Sequence, residues 1–167
     1  MMDPARLRLR PARAEDDAFL YRLYVSTRAD EVAAWGLDPE TLDPLLRMQF
    51  AGQRGQYAAQ FPAADHHIVL LDGRPAGRIY VDRSEERLLL IDVAVLPEYR
   101  GQGVGTALLR SLIEEAAALP VDLSVVRTNP ARRLYERLGF AVVSEDAVYL
   151  RMRHAPDPAC GTEGRLD

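Results

Sequence analysis

Cysteine is almost absent. Of 167 residues only Cys160 carries a thiol, so no intrachain disulfide can staple the fold. Histidine is scarce as well. His66, His67 and His154, taken with Cys160, show no zinc-ligand spacing, and no metal is expected. No apolar run approaches the roughly 18 residues that would cross a bilayer, so no membrane partner is expected. Met1 to Arg10 is polar and basic and lacks the apolar stretch of a secretory signal, which makes a cytoplasmic location the expectation. Positive charge is not in excess either. Against 21 Lys+Arg stand 25 Asp+Glu, a formal net charge of −4. A nucleic-acid partner held by phosphate neutralisation would leave a basic footprint, and none is expected here.

What remains is ordinary globular composition, 48% hydrophobic and 28% charged. The length suits one domain that buries about 70% of its unfolded surface. Leu7 to Arg10 alternates like a short strand. A helix is expected from Ala14 to about Asp30, opened by acidic Glu15, Asp16 and Asp17. A second helix is expected near Asp43-Pro44, a cap followed by a proline at the first helical position. From Gly52 to Ala64 the pattern fits more helix and then a loop. His67 to Leu71 and Ala76 to Asp82 form a hairpin around Asp72-Gly73. Leu88 to Val95 is nearly continuous apolar sequence, a central strand covered on both faces, with Asp92 its one charge. A helix to about Leu119, a strand Val121 to Val126, a short helix Pro130 to Leu138 and strands Phe140 to Ser144 and Val148 to Met152 complete the domain. It spans residues 1–155, and Pro156 to Asp167 is expected to be a disordered tail.

The stretch Arg100-Gly101-Gln102-Gly103-Val104-Gly105-Thr106 lies between a buried strand and an amphipathic helix. Its alternate glycines allow positive φ and a close approach to a ligand. Consecutive N–H groups at a helix start, reinforced by the helix dipole, make an anion site suited to phosphate. The loop lacks the lysine of a Walker motif, and its G-x-G-x-G spacing is not the dinucleotide fingerprint G-x-G-x-x-G.

These residues, with the approach Val93-Ala94-Val95-Leu96-Pro97-Glu98-Tyr99, resemble the coenzyme A signature R/Q-x-x-G-x-G/A of the GNAT-type N-acetyltransferase superfamily. A second stretch, Asn129-Pro130-Ala131-Arg132-Arg133-Leu134-Tyr135-Glu136-Arg137-Leu138-Gly139-Phe140, resembles the family block N-x-A-x-x-L-Y-x-x-x-G-F. The resemblance implies one α+β domain: a mixed, mostly antiparallel sheet of about seven strands, flanked by about four helices and splayed beside the cofactor site. It implies acetyl-CoA as co-substrate and a small-molecule or peptide amine as acceptor. A homodimer is compatible with it.

The resemblance also distributes roles. Backbone groups of Val93, Ala94 and Val95 would bind the pantetheine arm and supply the oxyanion donor. The backbone from Arg100 through Gly101, Gln102, Gly103, Val104, Gly105 and Thr106 would cradle the pyrophosphate. Asn129 would hydrogen-bond the cofactor, and Tyr135 would protonate the leaving thiolate. Read without the family, Asn129 suits a helix cap and Tyr135 a place at the rim of the core, beside the face formed by Ala131, Leu134 and Leu138.

The acceptor amine must lose a proton. With a pKa of about 10.4, roughly one lysine-like amine in 2,500 is neutral at pH 7, a cost of about 4.6 kcal/mol. Asp92 is the ionisable residue on the strand before the loop and the candidate base. Alternation puts it on the face of Leu90 and Ala94 unless a bulge near Val93 shifts the phase. His66, His67, Glu98 and an ordered water are alternatives, the two histidines reading as surface residues at a strand entrance. Trp35, Gln53, Tyr57, His66 and Tyr80 are candidates for the acceptor site. Glu31, Asp38, Glu40 and Asp43 could attract a cationic amine there, or simply form a solvated helix face. A non-catalytic acyl-coenzyme A-binding or sensing module is the competing functional reading.

Overall fold

The computed structural model describes residues 2–156; the expected tail lies outside that range apart from Pro156. Seven strands form a single sheet in the order β1-β2-β3-β4-β5-β7-β6. They are β1 (Leu7–Pro11), β2 (Asp65–Leu71), β3 (Arg74–Arg83), β4 (Leu88–Val95), β5 (Val121–Val126), β6 (Ala141–Glu145) and β7 (Tyr149–His154). Every pairing is antiparallel except β4 with β5. That parallel pair needs a crossover, and helix α4 (Val104–Ala116) provides it. Its stripe of Leu108, Leu109, Leu112 and Ala116 packs on Ile79, Val81, Leu90, Leu123 and Met152 in one core. The opposite face is covered by α1 (Asp17–Thr27) and α3 (Pro39–Gln60), which bury Leu20, Leu23, Leu46 and Ile68. Helices α2 (Ala29–Trp35) and α5 (Arg132–Arg137) make five in all.

The hairpin signal is borne out. Asp72 and Gly73 both have positive φ, 52° and 80°, as a tight turn between twisted strands requires. The helix signals needed correction. The first expected helix is interrupted at Arg28 and divides into α1 and α2. The second starts at Pro39 rather than near Asp43-Pro44. Asp38 is the cap, accepting the Thr41 N–H at 2.8 Å, with Pro39 in the first turn. Asp43 instead accepts the Tyr21 hydroxyl at 2.6 Å, and Pro44 lies inside the helix.

Strand β4 carries the decisive irregularity. Val81 pairs with Leu90 and Tyr80 with Asp92, so Ile91 is an extra residue opposite no partner. This bulge reverses the alternation. Leu88 and Leu90 before it, and Val93 and Val95 after it, face the α4 core. Asp92 and Ala94 therefore face the α1/α3 side, and Asp92 does not share the face of Leu90. Pairing with β5 also stops at Leu90–Leu123. Beyond that point the two strands part, and the β5-facing edge of β4 from Asp92 to Val95 has no strand partner among the described residues.

Candidate active site

Two cavities lie on opposite faces of the sheet. The first, about 480 Å³, is bounded by Val93 to Val95, the glycine loop and the N-terminal half of α4, with Leu134 and Tyr135 of α5 opposite. Gly101 and Gly103 have φ of 74° and 86°, which a side-chain-bearing residue adopts only with strain. Gly103 is the N-cap of α4 and offers no side-chain acceptor. The first intrahelical bond runs from Ala107 N to Gly103 O, so the N–H groups of Val104, Gly105 and Thr106 are left to a ligand. Three uncapped donors at the positive end of a 13-residue helix, beside an open cavity, fit a pyrophosphate. The loop is tied to β4 by Arg100, whose Nε donates to the Val95 carbonyl at 2.9 Å. Gln102 donates through its side-chain amide to the Glu98 carbonyl and does not line the cavity.

Tyr135 is buried against this cavity, its ring edge-on to Phe140 at 5.9 Å. Its hydroxyl makes no hydrogen bond to a described residue. Burial, and then the Asp92 carboxylate, push the phenol up to about 12. Asn129 lies just outside. Its Oδ1 accepts from the Ala131 N–H at 2.9 Å, capping the turn that leads into α5, and the side chain is exposed. The helix itself begins at Arg132 rather than Pro130.

The second cavity, about 260 Å³, lies on the other face of the sheet between the start of α1, the middle of α3 and strands β2 and β3. Gln53, Tyr57, His66 and Tyr80, four of the five candidates for the acceptor side, line it together. Trp35 does not; it stacks with the Arg28 guanidinium at 5.4 Å. The acidic cluster is also engaged elsewhere. Glu31 pairs with Arg28, Asp38 caps α3, and Asp43 binds Tyr21 and Arg47. Only Glu40 has no such contact among the described residues. None of the four lines the cavity.

His66 and His67 separate. Strand alternation sends His66 to the α3 side, where it is half-buried and stacks on Tyr80 at 4.7 Å. Both histidines are half-buried, so neither is the surface residue expected. Burial, followed by the nearby Arg78 guanidinium, lowers the pKa of His66 to about 4, so the imidazole is uncharged at neutral pH. Its Nε2 is buried and has no hydrogen-bond partner.

Asp92 lines neither cavity but adjoins both: Val93 to Val95, which follow it, line the first, and its partner Arg78 lines the second. Its carboxylate raises the pKa of Tyr135 on one side and of Tyr57 on the other. Arg78, which no local sequence signal singles out, holds it in place. Both contacts from Arg78, Nε at 2.8 Å and a terminal nitrogen, fall on Asp92 Oδ2, and that nitrogen also donates to Gln53 at 3.0 Å. Asp92 Oδ1 is left without a protein donor among the described residues. Glu98, by contrast, is exposed in the turn Pro97–Tyr99.

Comparison with known proteins agrees with this geometry. Residues 62–142 match a family model described as an acetyltransferase (GNAT) domain. The ribosomal protein bS18 alanine N-acetyltransferase of Haemophilus influenzae is 38% identical over 80 residues, 46% of this chain and 51% of that protein. The chain thus spans about half the length of that curated relative. The crystal structure of nourseothricin acetyltransferase is 31% identical with a TM-score of 0.50, covering 58% of this chain and 67% of that one. A PaiA N-acetyltransferase from Thermoplasma acidophilum, solved in complex with coenzyme A, shares the fold. Its TM-score is 0.65 at 19% identity, over 89% of this chain and 98% of that one.

Proposed function

Because the chain belongs to the GNAT acetyltransferase family, we propose that it transfers an acetyl group from acetyl-coenzyme A directly to a primary amine. The observation that carries this reading is the link that Asp92 makes between the two faces of the sheet: its partner Arg78 lines one cavity, and Val93 to Val95, which follow it on β4, line the other. The β4 cavity offers uncapped helix amides and a phenol; the other is lined by aromatic rings, Gln53 and three guanidinium groups. The acetyl thioester would supply the activated acyl group. All the other roles fall to this chain.

The amides of Val104, Gly105 and Thr106 hold the pyrophosphate, and the loop from Arg100 to Gly103 shapes the approach. The open edge of β4 between Val93 and Val95 accepts the extended pantetheine arm as an added strand would, and presents backbone N–H to a developing oxyanion. Asn129, exposed and with its amide nitrogen free of any described partner, would donate a hydrogen bond to the cofactor. Tyr135 donates a hydrogen bond to the departing sulfur. Asp92 Oδ1 accepts the ammonium proton, directly or through one water, while Arg78 fixes the orientation of the carboxylate. His66, uncharged and stacked, forms a wall of the acceptor cavity. The catalytic unit is taken to be residues 1–155, acting in the cytoplasm with no metal. Among the described residues no helix is long and apolar enough to cross a membrane.

The experiment is incubation with acetyl-coenzyme A and a panel of amines, reading free thiol and acetylated product. The chain has 21 Lys+Arg, all arginine, so no lysine ε-amine of its own competes for the acetyl group. Coenzyme A binding without transfer to any amine would overturn the enzyme reading in favour of a sensing module.

A further inference from the structure

On the reading that the smaller cavity is the acceptor side, its charge says what the acceptor must carry. The charged side chains around it are Arg13, Arg54, Arg78 and Asp17. Arg78 is committed to Asp92 and Gln53. Arg54 pairs with Asp17 through a single terminal nitrogen while its guanidinium lies 5.0 Å from the Phe50 ring centre, so its other donors are free. The Arg13 guanidinium makes no hydrogen bond or ion pair with any described residue. A guanidinium has five N–H donors and no acceptor. The cavity wall is thus rich in unpaired donors.

Three guanidinium groups and one carboxylate, Asp17, line the cavity; behind this wall Asp92 pairs with Arg78, and Asp16, bound by Arg10, lies near Arg13. Burial is the chief reason His66 is uncharged, and the Arg78 guanidinium acts in the same direction. Of the acids that might have drawn in a polycation, Glu31, Asp38 and Asp43 are bound to other partners, and none of the four lines the cavity. The volume, about 260 Å³, corresponds to roughly nine waters at ~30 Å³ each, room for a small molecule.

We infer that the acceptor is a small amine that also bears an oxyanion group, a carboxylate or a phosphate ester, with the amine at Asp92 and the oxyanion on Arg13 and Arg54. Arginine is suited to this because its planar fork binds carboxylate and phosphate through two parallel hydrogen bonds. A polyamine would bring its second ammonium against these same guanidinium groups and be repelled.

The test uses the full chain with coenzyme A present. Glycine, β-alanine, 4-aminobutyrate and 6-aminohexanoate are each compared with their methyl esters, and phosphoethanolamine with ethanolamine; spermidine is the polycation. Binding is read by calorimetry, and transfer, with acetyl-coenzyme A, by thiol release. At least one anionic amine should bind ten-fold or more tightly than its uncharged counterpart, and spermidine should bind worst. The carboxylate and phosphate arms then tell which oxyanion the site prefers. Arg13→Gln and Arg54→Gln, both at exposed positions, should bring the acid-to-ester ratio close to one, with coenzyme A affinity confirming that each variant is folded. Equal binding of acid and ester, preference for spermidine, or no binding by any of these amines overturns the inference. Selective binding of the anionic amine without acetyl transfer sustains the oxyanion subsite and rejects the transferase reading instead.

Discussion

Replacing Tyr135 with phenylalanine removes one oxygen from the cavity beside β4 and nothing else. The ring keeps its edge-on contact with Phe140. The hydroxyl has no protein partner to abandon, so stability should change by less than about 0.5 kcal/mol. The effect on rate follows from the acidity of the phenol. At about 12 it is some 3 units less acidic than a thiol of pKa near 8.5, so complete proton transfer to a free thiolate is uphill by about 4–5 kcal/mol. The useful contribution is then a hydrogen bond to a partly negative sulfur as the bond breaks. Hydrogen bonds to charged groups contribute about 1.5–3 kcal/mol, which is roughly a 10- to 150-fold loss of rate.

Rapid-mix single-turnover measurement of thiol release is the appropriate assay, because slow product release would mask the step in steady state. The loss should be about 10²-fold for acetyl-coenzyme A. It should shrink for an acetyl thioester whose thiol is a stronger acid and needs less help. Coenzyme A affinity should be unchanged. Tyr135 stays protonated to well above pH 10, so an alkaline fall in rate below that pH cannot come from it. An unchanged single-turnover rate in Tyr135→Phe would refute the assignment and leave the side chain as a cavity wall.

Other expectations follow from the same geometry. Asp92→Asn should lower kcat/KM at least ten-fold at pH 7 and by less at pH 9, where more of the amine is already neutral; equal losses would indicate positioning rather than proton acceptance. Gly103→Val must force a branched side chain into φ 86°, where even a Cβ would lie 3.3 Å from Met2; isothermal titration should show coenzyme A affinity reduced ten-fold or more. At Gly77 a Cβ would lie 2.2 Å from the Ala94 carbonyl oxygen, so Gly77→Ala should push β4 outward, costing about 2 kcal/mol and roughly 4–8 °C in Tm by calorimetry. Asp16 is held down at about 2, chiefly by its hydrogen bonds from Arg10; its folded pKa is depressed, so its stabilisation is present above about pH 4 and is lost as pH falls towards 2. Urea unfolding of Asp16→Asn should therefore show a deficit of about 1–2 kcal/mol at pH 7, after allowance for solvent screening, and almost none at pH 2.

The strands and both motif-bearing loops were legible because their signals are local. Asp72-Gly73 needs only its own φ angles, and Leu88 to Val95 shows its burial in its composition. Gly139, expected just past a helix end, has φ 97° there. The start of α3 was misplaced because Asp38-Pro39 and Asp43-Pro44 carry the same cap-and-proline signal five residues apart. The earlier pair prevails because its aspartate reaches the Thr41 amide, and the helix tolerates the second proline. The adjacent histidines could not be told apart from sequence. Alternation says that they face opposite ways, but only the arrival of α3 makes His66, and not His67, part of the second cavity. Arg78 was invisible for a related reason, since its partner lies fourteen residues away on the neighbouring strand.

The hardest feature to read was also the one that makes the site. With unbroken alternation Asp92 would join Leu90 on the face packed by α4, a carboxylate in an apolar core at a cost of several kcal/mol. One extra residue, Ile91, removes that conflict by turning Asp92 toward Arg78 on the opposite face. The same bulge falls where β4 stops pairing with β5. A single irregularity thus coincides with both requirements of the proposed chemistry: a carboxylate turned to the α1/α3 side and held by Arg78, and an open backbone edge beside the phosphate loop. Hydrophobic periodicity identifies β4 as a central strand but has no term for a residue that pairs with nothing. The fold was therefore more legible than the site, because the site begins where the regular pattern ends.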